Sequence, residues 1–253
     1  MNYQSIRVRF QESVCFLQLH RPSANNTINE QMVAECLQVL DDCEDSTTVI
    51  VIEGLPEVFC FGVDFQNIHS RLADGGAYES GAEPLYELWL RLTCGPYITI
   101  AHVRGRANAG GVGFVAACDI VLADGTAQFS LSELLFGVYP ACVMPFLLRR
   151  TGFQRAHYFT LSAQPVPVQQ AQTWGLVDAY DTQSDVLLRK HVLRLRRLSK
   201  TAIRRYKRYM SELHGALRQS GPLALAAHHE VFSDPQVLGG IHRFVETGQF
   251  PWE

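Results

Sequence analysis

The sequence predicts an α/β fold with a helical C-terminal region. Three short β-branched apolar runs, at residues 48–52, 98–103 and 120–123, have the length and composition of strands buried on both faces. The stretches between them carry apolar residues at helical spacing, and strands alternating with helices imply parallel pairing through right-handed crossovers. Beyond Pro145 the pattern is helical to the end. The expected organisation is an α/β core over residues 1–180 and a helical region over 181–253, together one structural unit.

The elements follow in order. Residues 6–10 alternate as a half-buried strand does, and residues 14–19 form a second strand after a turn at Gln11-Glu12-Ser13. Arg21-Pro22 stops it. Thr27-Ile-Asn-Glu30 matches a capping box, and Val33, Cys36, Leu37 and Leu40 then recur on one helical face. Helices are expected around 85–92 and 111–117, then at 146–150, 155–161 and 168–174, each of the first and last closed by a glycine, and finally at 222–232 and 238–247. Residues 73–84, rich in Gly, Ala and acidic side chains, read as a loop.

The chain has 253 residues, 47% of them apolar, enough for one large core. No apolar run reaches the ~18 residues that span a bilayer, and the N-terminus has no apolar leader. The seven cysteines are scattered with no Cys-x-x-Cys pair, which argues against a disulfide framework or a zinc ribbon and for a reduced, cytoplasmic setting. No metal site is expected. The net charge is −3, yet residues 189–208 hold ten of the 22 basic residues and no acidic one. Val192, Leu193, Leu195 and Leu198 interleave with them, so the segment reads as an amphipathic helix whose cations are either an ordinary solvated face or a dock for an anionic partner.

Residues 103–140 carry the chemistry. An apolar strand runs into Ala109-Gly-Gly-Val-Gly113 and then a helix of small residues. A dinucleotide fingerprint fails there, because Ala116 stands at the third glycine and no ribose-binding acid ends a following strand. What the pattern offers is a backbone able to approach a ligand, with unpaired N–H donors at a helix start. A second bend, Phe59-Cys-Phe-Gly-Val-Asp64, follows another strand. Two such bends at neighbouring strand ends can aim two N–H groups at one oxygen. Glu133, set among Leu131, Leu134 and Leu135, is either a buried acid/base of raised pKa or an exposed carboxylate at a helix start. Two other chemistries are disfavoured. His228-His-Glu230 lacks the second zinc-binding histidine, since Ser233 stands there, and no Gly-x-Ser-x-Gly elbow exists.

Over nearly its full length the chain resembles the crotonase (enoyl-CoA hydratase/isomerase) superfamily. The resemblance rests on His20-Arg-Pro22 with Asn26-Thr-Ile-Asn29, on residues 59–64 and 107–113, on Cys118-Asp119, and on residues 132–140, 171–176 and 244–252. A narrower resemblance, to the dehydratases of polyketide β-branching cassettes, rests on Leu55-Pro-Glu-Val-Phe-Cys-Phe-Gly62, Ser132-Glu-Leu-Leu-Phe-Gly137 and Val245-Glu-Thr-Gly-Gln-Phe-Pro-Trp252.

The resemblance implies a crotonase-like β-β-α spiral core. It puts an oxyanion hole on the N–H groups of Val63 and Gly110 and a catalytic glutamate on Glu133. The second glutamate of simple hydratases falls on Gly113, which has no side chain. We read that gap as space for a branched substrate and as removal of a charge that repels a distal carboxylate. The narrower resemblance implies loss of water from a 3-hydroxy-3-methylglutaryl thioester on an acyl carrier protein, giving a 3-methylglutaconyl thioester. No cofactor is expected beyond the phosphopantetheine arm that carries the substrate. Asp64, Tyr86 and Tyr139 are candidate acid/base helpers. Gly62, Gly111, Gly113 and Cys142 are candidate pocket residues. Arg204, Arg205, Lys207 and Arg208 are candidates for docking the acidic carrier. A homotrimer or hexamer is implied, with neither nucleic acid nor membrane as partner. The competing readings are a CoA-dependent isomerase or hydratase and a non-catalytic or RNA-binding protein of the same fold.

Overall fold

The computed structural model describes residues 3–73, 81–213 and 215–253. In chain order the elements are β1 (Ile6–Gln11), β2 (Val14–Leu19), α1 (Glu30–Cys43), β3 (Val49–Glu53), β4 (Val58–Cys60), α2 (Phe65–Ala73), α3 (Ala82–Cys94), β5 (Ile98–Val103), β6 (Arg106–Asn108) and α4 (Gly110–Ala117). There follow β7 (Ile120–Asp124), β8 (Gln128–Ser130), α5 (Met144–Thr151), α6 (Phe153–Ser162), β9 (Val166–Pro167), α7 (Val168–Thr173) and β10 (Ala179–Asp181). The last four are α8 (Ser184–Leu195), α9 (Lys200–Leu213), α10 (Ala216–Phe232) and α11 (Pro235–Thr247).

Two sheets result. The larger has the order β1-β2-β3-β5-β7-β10, antiparallel between β1 and β2 and parallel from there on. The smaller has the order β4-β6-β8-β9. Each of the pairs β3–β4, β5–β6 and β7–β8 therefore lays one strand in each sheet before the chain turns into a helix or helical turn. That is the β-β-α spiral. The inner strands β3, β5 and β7 of the larger sheet are covered on both faces, which explains their near-continuous apolar sequence, whereas the edge strand β1 keeps exposed arginines. Along β3, Ile50 and Ile52 enter the main core, while Val49 and Val51 pack with Ile100, Leu122 and Leu188 of α8 on the other face. Leu217 and Ala224 of α10 join the main core, so that helix completes it, while α11 packs in a separate apolar cluster with α2.

Several expectations shift. The N-cap of α1 is Asn29, whose side chain accepts from Met32 N at 2.9 Å. Thr27 is too early for that role, because Ile28 is still extended in a bridge to Val63. The basic segment 189–208 is two helices, α8 and α9, with a break after Leu195. Helix α10 begins six residues before Pro222, which its interior tolerates. Of the loop expected at 73–84, Ala73 ends α2 and residues 82–84 begin α3; residues 74–80 lie outside the described residues. Among the described residues no helix is long and apolar enough to cross a membrane. Helix α11 is tied to α2 by the stacked rings of His69 and His242, centroids 4.5 Å apart, with Glu246 beside both.

Candidate active site

The first bend follows β4. Gly62 turns the chain at φ +86°. Ile28 N donates to Gly62 O at 2.7 Å, and Asp64 N donates to Ile28 O at 3.2 Å. A parallel bridge of this kind uses the groups flanking Val63, so the N–H of Val63 itself faces away from Ile28. The second bend follows β6. Ala109, at φ 50° and ψ −120°, holds a left-handed conformation that side-chain-bearing residues rarely adopt, the kind of strain that collects at functional turns. Gly110 then opens α4, and its N–H, the first of the helix, has no acceptor within that helix. The bends touch: a Cβ on Gly62 would stand 3.0 Å from Gly110 N and 2.7 Å from Ala109 Cβ. Glycine at 62 is thus what lets the two backbone segments close on one another.

Glu133 is set beside this pair by the smaller sheet. Asn108 of β6 and Ser130 of β8 are register partners. Ser130 Oγ donates to Asn108 Oδ1 at 2.7 Å, and Asn108 Nδ2 donates to Ser132 Oγ at 3.0 Å. Asn108 lies two residues before Gly110 and Ser132 one before Glu133, so the network fixes the carboxylate relative to the second bend. Glu133 opens a 3-10 turn, Glu133–Phe136. Its Oε2 is sealed from solvent and has no hydrogen-bond partner among the described residues. Burial pushes its pKa up to about 7, partly offset by its own backbone N–H. The buried reading of Glu133 holds over the exposed one. A carboxyl group of that pKa both takes and gives a proton at neutrality.

Val63, Gly110 and Glu133 line one cavity of about 900 Å³. Its far wall is apolar, from Leu85 and Trp89 of α3, Phe232 of α10 and Phe244 of α11. His228 also lines it, and burial pushes its pKa down to about 4, so at neutral pH it is an uncharged imidazole. Two backbone donors, a desolvated acid and an apolar wall suit a thioester whose enolate oxygen must be held while a proton moves.

Residues 9–253 match the family model described as enoyl-CoA hydratase/isomerase. The chain belongs to the enoyl-CoA hydratase/isomerase family. It is 61% identical over 254 residues to "Bacillaene synthase dehydratase PksH" of Bacillus subtilis, covering 100% of this chain and 98% of that protein. The crystal structure of a putative polyketide biosynthesis enoyl-CoA hydratase (pksH) from Bacillus subtilis superposes with a TM-score of 0.97 at 60% identity, covering 99% and 100% of the two chains. The 2,3-dehydroadipyl-CoA hydratase of Escherichia coli is 32% identical over 220 residues, 86% of this chain and 83% of that one.

Within this family member, the expected site residues divide. Val63, Gly110, Glu133, Asp64, Tyr139 and Cys142 line the cavity. Gly62, Gly111 and Gly113 support it from behind and do not line it. A Cβ on Gly111 would lie 2.2 Å from Cys60 O, so Gly111 serves close packing of α4 on β4. Gly113 corrects our reading of the missing glutamate. A Cβ there would stand 2.5 Å from both Cζ2 and Cη2 of Trp89, so the vacated place is filled by the indole and leaves no space for a substrate branch. Tyr86 is no helper: its hydroxyl donates to Leu217 O at 2.7 Å, and the side chain is buried outside the cavity. Asp64 is committed to Arg21 at 2.9 Å and caps α2 through Asn67 N, a positioning role for the first bend. The Tyr139 hydroxyl lies 3.4 Å from Ala227 O at the cavity wall. Burial raises the Cys142 pKa to about 12, so it remains a thiol.

Of the four docking candidates, Lys207 is corrected. Lys207 is buried, and its ammonium donates to both carboxylate oxygens of Asp119 at 2.5 Å, a structural pair inside the fold. Arg204 is held by Asp45 at 3.0 Å. Arg205 and Arg208 are exposed, and no residue of α9 lines the cavity. The alternation of buried and exposed positions along one helix separates them, which the basic run alone concealed. The sequence reading missed Asn108, Ser130 and Trp89, since a polar pair on three-residue strands and a Trp in an apolar helix carry no local signature. It weighed His228 only as a zinc ligand.

Proposed function

We propose that this chain is a dehydratase of polyketide assembly. It removes water from a 3-hydroxy-3-methylglutaryl thioester carried on an acyl carrier protein, giving the 3-methylglutaconyl thioester. The observation that carries this reading is a desolvated carboxyl of raised pKa, Glu133, in the cavity that Val63 and Gly110 also line, with an indole instead of a second carboxylate at Gly113. A substrate that itself ends in a carboxylate then meets no second negative charge at that place. The 61% identity to a polyketide dehydratase supports the same reading.

The thioester oxygen sits between the N–H groups of Val63 and Gly110, each worth roughly 3–4 kcal/mol to the developing enolate. Glu133 takes the α-proton. The C–H electron pair becomes the new double bond as the C–O bond breaks, and the hydroxyl leaves as water with the proton Glu133 returns. With Glu133 acting as base in the free enzyme, kcat/KM falls as pH drops through about 7. A pH–rate profile flat across neutrality overturns this assignment. The decisive assay is mass spectrometry of the carrier-bound hydroxy substrate, expected to lose one water only in the presence of the protein. Hydration of crotonyl-CoA without dehydration of that substrate would refute the reading, and further loss of carbon dioxide would indicate a decarboxylase.

The carrier's phosphopantetheine has a candidate contact in Arg106. It is exposed, it lines the cavity, and its guanidinium lies 4.9 Å over the ring of Phe61. A stacked guanidinium suits a phosphate. Arg106→Glu is expected to raise KM for the carrier-bound substrate several-fold, whereas Arg205→Glu on α9 leaves it unchanged. The reverse result would place docking on α9.

A further inference from the structure

Among the described residues, two polar groups carried by cavity-lining residues lack hydrogen-bond partners. Glu133 Oε2 is an acceptor when ionised and a donor when protonated, and the Trp89 indole Nε1–H is a donor only. Both are sealed from solvent, both belong to residues lining the same cavity, and neither satisfies the other. A buried donor without a partner costs about as much as a lost hydrogen bond, and in a ligand cavity such a donor marks where a polar substrate atom goes. The place is further specified by α4. The Trp89 ring rests on Gly113, three residues after Gly110 and on the same face of that helix, about 5 Å along its axis. A thioester whose oxygen is held at Gly110 presents its β-carbon substituents at that distance.

We infer that the Trp89 indole N–H is the specificity-determining donor for the substrate's β-hydroxyl, working opposite Glu133. A hydroxyl is the group that satisfies both orphans, since its oxygen accepts from the indole and its proton meets the carboxylate. In the elimination, Nε1–H stays bonded to the departing oxygen while Glu133 supplies the proton, so the water leaves from a polarised site. Gly113 is the enabling half of the pair, because any side chain there would displace the ring. This rests on the dehydratase reading above, and it adds how a hydroxyacyl chain is told from a saturated or unsaturated one.

The test uses Trp89→Phe, which keeps a planar ring and deletes the donor. Dehydration kcat is expected to fall about tenfold or more. In a Glu133→Gln background, which stops turnover, affinity for the 3-hydroxy-3-methylglutaryl pantetheine thioester is expected to weaken about tenfold on Trp89→Phe, with affinity for the 3-methylglutaryl thioester unchanged. Equal effects on the two ligands, or none on either, overturn the inference. An independent reading needs no Trp89 variant. The Trp89 indole N–H proton resonance of Glu133→Gln protein is expected to move downfield with the hydroxy ligand and with 3-hydroxybutyryl pantetheine, and to stay in place with the deoxy ligand. An unmoved resonance with both hydroxy ligands also overturns it. The two failures are distinguishable: a wild-type protein that fails to dehydrate the carrier-bound substrate refutes the function, whereas normal dehydration with Trp89→Phe unaffected refutes only the indole contact.

Discussion

Glu133→Gln is expected to lower dehydration about a thousandfold, the usual range for a lost general acid/base, and to leave the fold intact. The amide keeps the shape of the carboxyl, whose only recorded partner among the described residues is its own backbone N–H and whose Oε2 has none. The variant should also be the more stable protein at alkaline pH. The sign follows from linkage. A folded-state pKa raised from the ordinary 4.5 to about 7 means the native state binds this proton more tightly than the unfolded chain does. The wild type is therefore favoured at acid pH, and that advantage is lost as pH rises from the ordinary carboxylate range through about 7, where an ionised carboxylate must stay buried. Glutamine carries no such penalty. Turnover within a few-fold of wild type, or a stability difference that does not grow with pH, would remove Glu133 from the role given to it.

Gly113→Glu, which in a protein with an empty subsite would restore the second glutamate of a simple hydratase, is expected to destabilise this one. Its Cβ would sit 2.5 Å from two carbons of Trp89, a side chain pinned edge-on by Phe114 and Phe146. Overpacking of this kind costs about 1–3 kcal/mol, and burying the new carboxylate among aromatic rings adds to it. Denaturant unfolding should show the loss, and no crotonyl-CoA hydration should appear. Combining Gly113→Glu with Trp89→Gly should recover part of the stability, because the two positions share one volume and their effects cannot add. A stable, active single variant would mean that the indole moves freely.

How legible the molecule is depends on the range of the interaction concerned. The larger sheet is readable because β3, β5 and β7 are each covered on both faces and so are mostly apolar. The smaller sheet is not, because β4, β6 and β8 have three residues each, too few to repeat the two-residue alternation even twice. Helix α2 escaped notice for a related reason: its cap, Asp64, also holds Arg21, 43 residues away. The glycines of both bends announced themselves by composition. Which of them face the cavity did not, since that depends on what each lost Cβ would strike.

The sequence by itself determined the α/β class, the two glycine bends and the lone glutamate among leucines, because these are properties of neighbouring residues: propensity, periodicity and turn chemistry. Only the tertiary structure decided that Glu133 is desolvated, that Trp89 occupies the place opposite Gly113, and that Lys207 is a buried partner of Asp119 and not a docking cation. Each of those facts is set by contact between segments 24 to 88 residues apart. Desolvation and steric exclusion are fixed by whatever packs against a group, and the chain brings those partners together only when it folds.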